Sequence, residues 1–228
     1  MTEYAFFTFL HVVLFAYWLG GDLGVHLAAR FAVRGDLPFD ERMRFLILIL
    51  MVDLGPETAL TLIVPVGLSM SAAVGLSSLD GWPLAAIWLY GVLWLAAIWR
   101  MHAYDIFRPG EDPPLKHYLH RLDHWARYIA IVGTSAIGVS SWLGYGPLAA
   151  KWLAAKTLVY ALALVLVALL RHELSAWGVA IEKLQNPATV AEGNAIILKT
   201  HKTGRWYAWS LWALVALAAW LGIAKPGF

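Results

Sequence analysis

The feature that most constrains this chain is a succession of six apolar stretches, each long enough to cross a hydrocarbon core as a helix. A core of about 30 Å takes roughly 20 helical residues. The stretches run over residues 4–28, 45–79, 81–104, 124–143, 147–174 and 206–224. A chain with 61% hydrophobic and 14% charged residues suits lipid better than water. The expected fold is therefore all-α: a polytopic membrane helix bundle of about six spans, with residues 1–228 as one integral membrane domain. No polar connection is long enough to build its own core. The second stretch exceeds a single crossing, so part of it should tilt, kink or leave the bilayer.

Orientation follows from the basic residues. Of 17 Lys and Arg, 14 fall in three alternate connections: Arg30, Arg34, Arg42 and Arg44; Arg100, Arg108, Lys116, Arg121 and Arg127; Arg171, Lys183, Lys199, Lys202 and Arg205. The opposite side has Lys151 and Lys225, with Lys156 inside a span. The positive-inside rule then places both termini outside the cytoplasm. The start Met-Thr-Glu-Tyr lacks the basic region and cleavage site of a signal peptide, so the first span is expected to stay. Between spans three and four, Pro109, Gly110, Pro113 and Pro114 mark a loop. Residues 176–205 have helical periodicity and should lie on the cytoplasmic surface as short amphipathic helices. No basic patch interleaved with aromatics suggests nucleic acid.

An internal repeat is legible. Trp82 precedes His102 by 20 residues, Trp152 precedes His172 by 20, and Tyr90 and Tyr160 each follow their Trp by 8. Residues 45–104 and 124–174 can be read as related hairpins. Small residues at Gly133, Ser135, Gly138 and Ser141 permit close helix contact, for instance with a second copy of the chain.

Titratable groups inside hydrocarbon cost about 2.5–3.5 kcal/mol each on insertion scales, so each needs a reason. His11, Trp18 and Asp22 share one stripe of the first span. His11 lies in the outer half, and His26 is about 22 Å further along. Asp53 and Glu57 flank Pro56 on one side of the second span, placed either to manage protons or cations or to pair with Lys156 or arginines of the third connection. His102 and His172 end their spans at repeat-related positions; two such imidazoles suit the axial positions of a haem, and equally they suit interfacial helix ends. His117, His120 and His124 stack at spacings of 3 and 4, either as a metal-binding stripe or as a solvated face. With no cysteine, disulfides, CxxCH haem attachment, iron–sulfur clusters and thiolate metal sites are excluded.

Leu10-His11, six residues, then Trp18-Leu19-Gly20-Gly21 resembles the first helix of CopD-like copper-resistance membrane domains and of HemJ-type protoporphyrinogen oxidases. Trp152-Leu-Ala-Ala-Lys156 is similar to the later HemJ hairpin with its Trp-x-x-x-Lys. The similar stretches cover about a third of the chain. The resemblance implies b-type haem among the helices, with His11 at the haem-associated histidine and Lys156 at the family's lysine. HemJ proteins are shorter, four-span chains and CopD domains longer, so the cofactor class transfers better than the reaction.

These readings converge on a membrane oxidoreductase or electron-transfer subunit holding one or two haem b, with quinone, a porphyrinogen or a protein as redox partner. His11, His102, His172 and His124 are the candidate metal ligands, and Trp18, Arg30, Arg100 and Arg127 line or neutralise the cofactor. Asp53, Glu57 and Lys156 would move protons or tune potential. Two alternatives stay open: a metal-ion transporter, disfavoured for copper by the lack of Cys and only five Met, and an assembly subunit of a larger membrane complex.

Overall fold

In lipid, backbone N–H and C=O groups find no partner outside the chain, which leaves helices as the way to bury so many apolar residues. The computed structural model describes residues 2–108 and 111–227, so Pro109 and Gly110 of the expected third loop lie outside the described residues. Among these residues the chain forms seven α-helices: α1 (Glu3–Ala32), α2 (Phe39–Ala72), α3 (Gly81–Phe107), α4 (Pro114–Trp142), α5 (Lys151–Leu174), α6 (Ala176–Leu184) and α7 (Val190–Ala224). No strand forms there; a lone bridge joins Ser77 and Leu148. The protein is a multi-pass membrane helix bundle. Helices α1, α2, α3, α5 (continued by α6) and α7 are each long and apolar enough to cross a membrane. α4, at 29 residues, is also long enough, but its first half carries charge and its apolar stretch begins near His124.

Local chemistry sets the helix ends. Thr2 Oγ1 accepts the Ala5 N–H and caps α1. α2 opens after Pro38 with Asp40 and Glu41 in its first turn, where the helix dipole favours acids. α4 starts on Pro114, whose missing N–H costs nothing there. α2 runs unbroken through Pro56 and Pro65 and ends at Ala72, so the surplus of the over-long second stretch is a loop over residues 73–80 rather than membrane helix.

α1 lies against α2 because glycines remove the side chains between them. A Cβ on Gly21 would collide with the Pro56 ring, and one on Gly24 would stand 3.0 Å from Val52 Cγ1. At the basic end, Arg42 donates from Nε to Ala32 O at 2.8 Å, satisfying a carbonyl at the end of α1, and from Nη1 to Asn194 Oδ1 of α7 at 2.8 Å. The bundle centre is one apolar core built from Trp18, Ala59, Leu60, Trp94, Ile98, Ala126, Leu164, Val167 and Leu211.

The hairpins α2–α3 and α4–α5 meet at their tips. Ser78 N–H donates to Pro147 O at 2.9 Å, and Ala149 N–H donates to Leu76 O at 3.0 Å. Their tyrosines act alike: Tyr90 on α3 donates to Ala126 O on α4, and Tyr160 on α5 donates to Leu60 O on α2 at 2.6 Å. The connection read as short surface helices divides differently from expectation. α6 is one such helix, but residues 190–205 continue without a break into the last span as α7. Of the small residues of α4, Gly138 and Ser141 are used within the chain, whereas Gly133 is exposed with open space around it. Gly138 packs on α5, where a Cβ would stand 2.6 Å from Leu158 Cγ, and Ser141 Oγ accepts the Leu148 N–H at 3.0 Å.

Candidate functional site

The halves of the helices nearest the basic connections surround a cavity of about 970 Å³. Small-molecule sites commonly occupy about 300–1,000 Å³ and are mostly apolar with a few placed polar groups. This one has apolar walls such as Leu46, Leu50, Ile131 and Val165, and all seven helices contribute to it. Six of the eight histidines line it: His26, His102, His120, His124, His172 and His201.

Beside the cavity sits a quartet of opposite charges drawn from three helices. Arg127 Nη2 reaches Asp123 Oδ1 at 3.1 Å on its own helix and Glu57 Oε2 at 3.4 Å on α2. Arg171 on α5 pairs with Glu57 Oε1 through Nη2 and approaches Asp123 Oδ2 through Nη1 at 3.4 Å. Trp94 Nε1 donates to Asp123 Oδ1 at 2.8 Å, and its ring centroid lies 5.4 Å from Arg127 Cζ. Two carboxylates and two guanidiniums cancel, which is how four charges are tolerated where one alone would be costly. Glu57 therefore pairs with arginines, as one reading of the sequence expected, and Lys156 takes no part. Asp53, one turn before Glu57, faces His102 Nε2 at 3.8 Å instead.

The structure sorts the other candidates. His102 is buried, with Nδ1 on Ile98 O at 3.1 Å and Nε2 turned toward Asp53 at 3.8 Å, beyond hydrogen-bond reach. His172 lines the cavity at an exposed position. Trp18 is buried on the cavity wall, with its ring edge against Tyr160. His11 is not on that wall. It lies in the opposite half of the bundle with Nε2 3.4 Å from Lys156 Nζ, bringing together the two residues the resemblance singled out, 145 positions apart. Two glycines make room for this pair: a Cβ on Gly67 would stand 3.2 Å from His11 Cε1, and one on Gly222 would stand 2.9 Å from Lys156 Nζ.

Arg100 folds onto its own helix, 4.7 Å from the Tyr104 ring centroid, and Arg30 is exposed. The His117/His120/His124 stripe divides. His117 faces Asp112 at 3.5 Å, His120 lines the cavity, and His124 stands edge to face with Tyr128 at 4.6 Å. Among the described residues no group of three or more His, Asp or Glu side chains converges as metal ligands would.

A second property of the cavity is its unpartnered polar atoms. Among the described residues, six buried side-chain atoms lack a hydrogen-bond partner, and four of these belong to cavity-lining residues: Asp22 Oδ2, Arg127 Nη1, Arg205 Nε and Trp212 Nε1. Three of the four are donors. Buried polar groups are ordinarily bonded, so these walls suit a ligand that carries acceptors.

Sequence reasoning missed Asp123, Arg171 as a partner, His26 and His201 as wall residues, and Trp212. A signal for Asp123 was present. The 70-residue step from Trp82 to Trp152 and from His102 to His172 also carries Asp53 onto Asp123 and Glu57 onto Arg127. Arg171 stood in plain view but was counted only toward topology.

These features define a polytopic membrane protein with a histidine-lined cavity beside a buried, charge-balanced quartet. Compared with known proteins, the chain matches no family model, no curated protein and no solved structure.

Proposed function

We propose that the protein binds b-type haem in this cavity and serves as an electron-transfer subunit or oxidoreductase of a bacterial inner membrane. The observation that carries the reading is the cavity wall itself: six histidines and three unpartnered donors around about 970 Å³ of otherwise apolar space. A flat macrocycle with two carboxylates matches that chemistry. Its apolar body suits the aliphatic walls, its iron takes imidazole, and its propionates accept from guanidinium and indole donors. When bound, haem supplies a one-electron iron couple.

The chain's own residues do the rest. Arg127 and Arg205 hold the carboxylates through nitrogens that no protein group uses. Buried His102 and partly exposed Asp53 face each other on the cavity wall and can pass a proton toward the basic face when the redox partner, a quinone, a porphyrinogen or a protein, requires one. The similarity to CopD-like and HemJ-type proteins supports the cofactor class; in this reading their histidine and lysine positions, His11 and Lys156, form a separate, part-buried pair. A metal-ion transporter has less to draw on, because among the described residues no three-ligand group forms.

The test is optical. Purified from haem-replete cells, the protein should show a Soret band and, on reduction, the split visible bands of a b-type cytochrome. A preparation that stays colourless after haem supplementation rejects the reading.

A further inference from the structure

We infer that the basic end of α1 carries a binding site for an anionic phospholipid, apart from the cavity described above: Arg30 and Arg34 take the phosphate of the headgroup, and Leu27 and Phe31 take the start of an acyl chain. These four residues line a separate hollow of about 370 Å³. All four are exposed, on or just past a helix long and apolar enough to cross a membrane. The order of chemistry along α1 is that of a phospholipid at an interface. Leu27 and Phe31 lie one turn apart, Arg30 sits between them, and Arg34 follows just beyond the helix end. An apolar ledge thus gives way to two guanidiniums, as acyl chain gives way to phosphate. The ledge is braced, because the Phe31 ring stacks on Phe45 of α2 with centroids 5.1 Å apart and planes 17° apart.

The protein leaves these cations available. Among the described residues Arg30 makes no hydrogen bond or ion pair. It is not needed to close the helix either: the N–H groups of Val33 and Arg34 donate to Ala29 O and Phe31 O, and Arg42 Nε donates to Ala32 O. Arg34 donates from Nε and Nη2 to the two oxygens of Asp36, at 3.1 and 2.5 Å, which fixes its guanidinium and leaves Nη1 for a ligand. One carboxylate therefore faces two guanidiniums four residues apart, a spacing at which like charges repel, and the hollow keeps a surplus positive charge.

Two features select the ligand. Leu27 and Phe31, 47% and 44% exposed, favour a phosphate that carries acyl chains over a soluble one. The surplus charge favours an anionic headgroup over a zwitterionic one, whose own cation the guanidiniums repel. Guanidinium suits the phosphate, since its N–H groups match two oxygens at once. A basic side chain near the membrane surface contributes roughly fivefold in affinity for an anionic lipid.

The experiment is native mass spectrometry of the full-length protein in detergent, mixed with equal amounts of phosphatidylglycerol and phosphatidylcholine of the same chain length. The wild type should retain phosphatidylglycerol in preference. Arg30→Gln and Arg34→Gln should each weaken that preference roughly fivefold, while Arg121→Gln, which removes an exposed cation of α4 at the same basic end, should leave it unchanged. Both arginines of the site are exposed, so the fold should survive either change, as helical circular dichroism checks. If all three substitutions act alike, general surface charge holds the lipid and the site is overturned. A wild type that retains the two lipids equally overturns it as well. Displacement of phosphatidylglycerol by inorganic phosphate would reveal a site for a soluble anion and overturn the lipid assignment.

Discussion

Replacing Glu57 by Gln tests whether the buried quartet is held by charge balance. Glu57 and Asp123 face Arg127 and Arg171, and the side chains of Glu57, Asp123 and Arg127 are each less than a tenth exposed. The substitution keeps the shape and leaves two guanidiniums sharing one carboxylate. Removing one partner of a buried ion pair costs about 3–5 kcal/mol, most of it the stranded charge. Arg171 is 31% exposed, so it can recover some solvation, and the lower end, about 3 kcal/mol, is expected.

Glu57→Gln combined with Arg171→Gln restores neutrality and leaves the Asp123–Arg127 pair with its Trp94 donor intact. The double variant should be more stable than the sum of the two single losses implies, by about 1–3 kcal/mol of coupling. Equilibrium unfolding in mixed micelles, followed by helical circular dichroism, measures all three variants. A loss under about 0.5 kcal/mol for Glu57→Gln, or strict additivity in the double variant, would refute the argument, since surface-like pairs behave that way.

Three further outcomes follow from the packing. Gly21→Ala forces a methyl into the Pro56 ring and should cost about 1–3 kcal/mol in the same unfolding assay, whereas Gly133→Ala, with open space around it, should cost nothing measurable; equal losses would contradict the close approach of α1 and α2. Trp177→Phe removes the 2.7 Å hydrogen bond from Nε1 to Thr200 Oγ1 and should cost about 0.5–1.5 kcal/mol, seen as faster protease cleavage between α6 and α7, while unchanged cleavage counts against that tether. Gly222→Val crowds Lys156 Nζ and should displace it from His11, detectable as a moved His11 ring resonance; an unmoved resonance means the slot is looser than the 2.9 Å approach implies.

The architecture was legible in the sequence because lipid leaves a chain few choices: apolar runs of this length become helices, and loops follow the Pro and Gly between them. The ends of the second and last spans were less legible. Hydropathy does not separate an apolar loop such as residues 73–80 from membrane helix, nor does it show that an amphipathic surface helix continues into a span. The site was read in part. Glu57 with an arginine and Trp18 as a wall residue were legible from side chains placed at membrane depth; His11 and Lys156 were each singled out by the resemblance, but that they face each other is shown only by the fold. The quartet needed three helices brought to one level, and that level is set by packing at Gly21, Gly24 and Gly138 rather than by any local motif. His26 and His201 escaped because each is a lone histidine at a span end, and only the fold makes them neighbours.

The most direct test of the haem-bearing cavity is haem stoichiometry, by pyridine haemochrome against polypeptide, in the wild type and in a variant that fills the wall, Ala208→Trp. One haem per chain in the wild type and near none in a folded variant is the expected result. Equal haem in both, or none in either, would contradict the account.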